Sequence, residues 1–159
     1  MGYALGMDAL REHIVNLLSG NGAHIDFDEA VAGFPPDLQG KIIPGAPHTA
    51  WQLLEHLRIA QWDILEFSRN PKHVSPDWPE GYWPKTATPP DSDAWDNSVR
   101  QVRQDLDAMC KLVSDPGKDL LARIPHGEGQ TMLRDALVLA DHNSYHLGQL
   151  VFLRKSLEA

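Results

Sequence analysis

Two histidines four residues apart, His142 and His146 in DHNSYHLGQLVFLRK, and a third, His56 in TAWQLLEHLRIAQWDIL, are the residues whose types and spacing could do chemistry. Four residues along an α-helix advance about 6 Å and return to the same face. One helix can therefore offer two imidazoles to adjacent corners of a single metal ion. A third imidazole from a facing helix would complete a three-nitrogen set with coordination positions left open, as catalytic metal centres have. The competing reading is three core histidines, each hydrogen-bonded to neighbouring carbonyls and side chains. Asn143 stands where an H-E-x-x-H helix carries its glutamate base, which disfavours peptide hydrolysis by that mechanism.

Three neutral imidazoles would leave a divalent charge uncompensated. The ion would then lower the pKa of a bound water, to about 7 for zinc, or of a bound thiol, and attract an anionic substrate. Nitrogen donors suit zinc, nickel, iron or manganese. Gln149, one turn beyond His146, can hydrogen-bond a ligand or the second nitrogen of an imidazole, and Asp63, two turns below His56, can orient a ligand, act as a base or form a rim salt bridge. These two are the candidates for cofactor binding. Glu55 and Asp141 point about 100° away from the adjacent histidines and are expected in solvent. His24 and His48 lie in a loop near the expected mouth of the site. His13 is expected in solvent or at the rim, and His73 and His126 in loops. Cys110 reads as a small buried hydrophobe, and Trp83 as a loop anchor or a pocket wall.

Four apolar periodicities supply the elements that must position these groups. The first spans about Leu5–Leu18, with Leu10, Ile14, Leu17 and Leu18 on one side and glycines ending it. The second starts at Thr49, whose hydroxyl and the side chain of Gln52 form a capping box, and stops near Arg69 before Pro71. The third runs from about Ser92 to Ser114. The fourth runs from Thr131 to about Leu157, with an apolar stripe so wide that the helix is expected to be deeply buried. With no convincing strand, the prediction is an all-α four-helix bundle over 1–159 as one domain. The connection of about 20 residues between the second and third helices can cross the bundle, about 30 Å long, so up-down-down-up is open beside up-down-up-down. Either way the second and fourth helices are antiparallel. His56 and His146 then fall within about 6 Å of the same height, near the end where the 20–48 loop sits; with the crossover topology residues 71–91 also finish there, and Tyr82 and Trp83 can wall a pocket.

The run His142-Asn143-Ser144-Tyr145-His146-Leu147-Gly148-Gln149 resembles the last-helix motif of the DinB-like superfamily, and WQLLEHLRIAQ resembles its second-helix motif. That superfamily includes DinB and YfiT-type proteins, mycothiol-dependent maleylpyruvate isomerases and bacillithiol transferases. The resemblance implies the up-down-down-up bundle with its long crossover between helices 2 and 3. It also implies a divalent metal on His56, His142 and His146, and a homodimer as the state of many members. It does not transfer one reaction, because the superfamily holds several.

Composition narrows the classes further. The net charge of −8 and scattered basic residues argue against nucleic acid, which needs a basic surface. No run reaches the ~20 apolar residues of a membrane span. A single cysteine and no secretory signal pattern at the start predict a cytoplasmic protein. Three functions are carried forward. They are a metal-dependent hydrolase, a transferase or isomerase using a low-molecular-weight thiol, and a non-catalytic metal-binding or ligand-sensing protein. Each has a small molecule as its partner.

Overall fold

The computed structural model describes residues 2–20 and 22–159, and side chains from residue 6 onward. Among the described residues five α-helices form: α1 Gly2–Leu18, α2 Phe27–Val31, α3 Ala50–Arg69, α4 Ala94–Ser114 and α5 Met132–Glu158. Among the described residues the only β-type pairing is an isolated bridge between Arg123 and Thr131. The four long helices match the four periodicities to within a few residues at each end. Thr49 and Gln52 cap α3 as a reciprocal box, so the chain enters that helix at a fixed angle. The short α2 lies in a stretch read as loop. Five residues are too few to show a period, yet Asp26 caps it by accepting from the backbone of Glu29 at 2.8 Å.

Side-chain bonds between helices define the topology. Glu55 and Gln61 on α3 reach Ser98 and Val102 on α4, both numbers rising together, so α3 and α4 are parallel. His56, Gln61 and Ser68 meet His146, Asn143 and Asp135 on α5 in reverse order, so that pair is antiparallel. Arg11 of α1 and Ser19 just past its end meet Val113 and Cys110 of α4, again in reverse. The bundle is therefore up-down-down-up, with α1, α4, α3 and α5 following one another around it. Residues 70–93 make the crossover.

The apolar core is in two parts. One joins Trp51, Leu54, Trp95, Val99, Leu150 and Leu153 to Val31 and Phe34 of the α1–α3 connection. The other joins Ile14, Leu65, Met109, Val113, Leu120, Met132 and Leu139 at the far end. Between them lies a polar layer that includes His56, Gln61, His142, Asn143 and His146. Gln61 is fully buried and satisfied by donating to the Val102 carbonyl and accepting from Asn143.

Two apolar assignments need correction. Leu17 is half exposed because α4 and α5 flank α1 along the Ile14–Leu18 line and leave Leu17 outside. Helix α5 is not deeply buried all round: Leu137, Val138, Tyr145 and Phe152 are exposed, since no helix packs on its outer flank. Among the described residues no helix is long and apolar enough to cross a membrane.

Candidate metal centre

Antiparallel α3 and α5 bring the three histidines together across their contact. The Nε2 atom of His56 stands 3.1 Å from Nε2 of His146 and 3.0 Å from Nε2 of His142. One ligand atom from each of the three lies within 4.8 Å of the others, a group able to hold a metal ion. Nitrogens ~2.1 Å from a common ion stand about 3.0 Å apart at right angles and about 3.4 Å apart at tetrahedral angles. The observed edges fall in the range such an ion requires.

The second nitrogens set the tautomers. Nδ1 of His56 is 2.8 Å from the carbonyl oxygen of Tyr82, which can only accept, so this nitrogen carries the proton. Nδ1 of His146 is 2.9 Å from Oε1 of Gln149 and donates likewise. Both Nε2 atoms are then bare lone pairs facing each other. Two lone pairs at 3.1 Å do not bond; a cation between them does. Among the described residues the buried Nδ1 of His142 has no partner. Burial lowers the pKa of all three imidazoles. His142 is driven to about 4, by burial first and then by the two neighbouring imidazoles. For His56 burial outweighs the Tyr82 carbonyl, and for His146 it outweighs Gln149. All three are neutral at pH 7, the form that ligates.

The crossover and the α1–α3 connection close over this centre, as their predicted convergence required. Trp83 stacks on His56 at 3.9 Å between ring centroids and on His48 at 3.8 Å. Two imidazoles so close to one indole overlap if they share a face, so the indole is sandwiched between them. Burial holds His48 below its usual pKa. A cavity of about 310 Å³ begins one helical turn from the ligands. His48 and Gln149 are its polar walls and Leu53, Phe152 and Leu153 its apolar ones.

Other candidates fall elsewhere. Asp63 accepts from His73 Nε2 at 2.7 Å and from the Tyr82 hydroxyl at 2.6 Å, so it anchors the crossover instead of facing the three Nε2 atoms. It touches the site only through Tyr82. Glu55, expected in solvent, is buried because α4 packs on that flank of α3. There it accepts from Arg58 at 2.7 and 2.9 Å and from Ser98 at 2.5 Å. Burial works to raise its pKa, but the bonds from Arg58 and Ser98 win and hold it low. Asp141 is exposed. His24 bonds Ser144 at 3.2 Å on α5 and is not among the three convergent rings. His13 is exposed, and His126 meets the Phe67 carbonyl. Cys110 is half buried, 3.8 Å from the Ser19 hydroxyl, with its pKa raised by burial.

The family model described as DinB superfamily matches residues 23–150, most of the chain. The chain belongs to the DinB superfamily, and its three-histidine cluster fits the metalloproteins of that group. No curated protein matches it, and no solved structure does.

Proposed function

We propose that this protein is a metal-dependent hydrolase of a small molecule, with His56, His142 and His146 as the ligands of one divalent ion. The observation that carries the reading is the pair of locked tautomers: both Nδ1 atoms donate outward, so Nε2 lone pairs converge where a cation belongs. A divalent ion there supplies Lewis acidity, polarising a substrate carbonyl and making water acidic enough to ionise near neutral pH. The protein's own part is to keep three ligands neutral, exclude bulk water with Trp83, and place His48 beside the cavity as the imidazole able to take up and return a proton. A thiol-dependent transferase is less well supported. A thiol cofactor bearing carboxylates needs cationic groups to hold it, and among the described residues no Lys or Arg lines the adjoining cavity.

Elemental analysis and calorimetry with zinc, nickel and manganese test the site, and a panel of small esters and amides tests the reaction. The expected result is one ion per chain and a hydrolysis that chelation abolishes and metal restores. His142→Ala should weaken binding on the order of 100-fold or more while the helical circular dichroism stays unchanged. Undiminished metal content in that variant would refute the site.

A further inference from the structure

The geometry points to an uncharged, predominantly apolar substrate body, seated in the cavity between the 43–48 segment and the last turns of α5 with its polar head directed to the histidine centre. This rests on the metal-centre reading above and adds to it the chemical class of the ligand.

The cavity's lining carries the inference. Ile43, Pro47, Leu53, Phe152 and Leu153 make most of its wall, and among the described residues no Asp, Glu, Lys or Arg contributes. In a chain with 36 formally charged residues, 14 basic and 22 acidic, a lining without one is a chemical filter. A charged substrate body would lose its hydration there and find no counter-ion. At about 310 Å³ the space lies at the low end of small-molecule sites and holds roughly ten water-sized groups.

Orientation follows from where the polar groups stand. His48 and Gln149 are the only two side chains of the lining with hydrogen-bonding groups. Both belong to the histidine centre as well: Gln149 accepts from His146, and His48 stacks on the indole that covers His56. The polar end of a ligand is thus drawn to the corner nearest the metal ligands, and its apolar end to Phe152. Phe152 is 68% exposed, an aromatic wall at the open side of the cavity.

The test uses the full chain loaded with zinc and straight-chain hydroxamates from acetohydroxamate to octanohydroxamate. Their common head binds the metal while the tail lengthens. Affinity is expected to rise about threefold to fourfold per methylene until the cavity fills. Phe152→Asp places a carboxylate in the wall at an exposed position, so it should flatten most of that rise with zinc content unchanged. Glutathione, with two carboxylates on its thiol, should bind no better than 2-mercaptoethanol. A series flat in wild type, or glutathione binding more tightly than octanohydroxamate, overturns the proposal. Titrating metal-free protein with the neutral dye N-phenyl-1-naphthylamine separates the two readings. Dye binding that Phe152→Asp weakens, in a chain that takes up no zinc when zinc is added, leaves the cavity standing and removes the metal centre. Zinc bound with a flat hydroxamate series and no dye binding does the reverse.

Discussion

Gln149 and the Tyr82 carbonyl act on the site without touching an ion, by deciding which imidazole nitrogen is bare. Partners of this kind are worth 10–100-fold in metal affinity. Gln149→Leu should therefore weaken zinc by about that factor in a chelator competition, because His146 Nδ1 loses its acceptor and its tautomer is no longer fixed. Gln149→Glu, which keeps an acceptor, should restore it. Tyr82 has a second role through its hydroxyl. Burial and the bond to Asp63 push its pKa up to about 12. A phenol raised above its unfolded value of about 10 stabilises the fold below that value, and the contribution disappears as pH rises towards 12. Denaturation series between pH 9 and 12 should show this loss in wild type and a shallower one in Tyr82→Phe. The histidine pair was legible in the sequence because i, i+4 spacing is a property of one helix. The Trp83 sandwich and the Tyr82 carbonyl were not, because they depend on how a proline-rich crossover folds back. Glu55 was misread since an angle measured from His56 says nothing about α4 on that side.

At the scale of elements, the Thr49 cap joins three segments. The Thr49 hydroxyl oxygen accepts from the Gln52 backbone at 3.2 Å, the Gln52 side chain accepts from the Thr49 backbone N–H at 3.0 Å, and the Thr49 hydroxyl donates to the Ala87 carbonyl at 2.7 Å. The start of α3 and the end of the crossover are thus pinned at one point, and Trp51 Nε1 donates to Thr86 at 3.2 Å beside it. Thr49→Ala should cost about 1–2 kcal/mol in urea denaturation, from the lost cap and an unpaired carbonyl. It should also loosen the crossover that carries Trp83. The capping box itself was readable from Thr49 and Gln52, but its bond to Ala87, 38 residues away, was not. Helix α2 is held from outside too. Arg154 on α5 donates to the Ala30 and Ala32 carbonyls and sits over the Phe34 ring, so the segment leading to the cavity is fastened to the helix that carries two of the histidines.

Across the whole molecule the fold was the most legible feature, since four long periodicities admit few packings. The direction of α4 relative to α3 was not fixed by periodicity, and the parallel Glu55–Ser98 and Gln61–Val102 contacts decide it. Among the described residues, the two apolar clusters meet across a layer in which the Nε2 lone pairs of His56 and His146 face each other. With a cation bound in that layer, cooperativity itself would be a function of metal. Without a cation the two ends should open as separate foldons, each with its own free energy of opening. Hydrogen exchange in chelated protein should then report different opening free energies at α1 and the start of α5 than at α2 and the start of α3. Adding one equivalent of zinc should bring them to a common value. A single shared value in the chelated protein would mean that van der Waals continuity through Leu57, Ala60 and Leu147 already couples the two ends. If the coupling does depend on the ion, a cell that withholds the metal leaves a chain folded yet divided, with proteolysis at the α1–α3 connection as its first symptom.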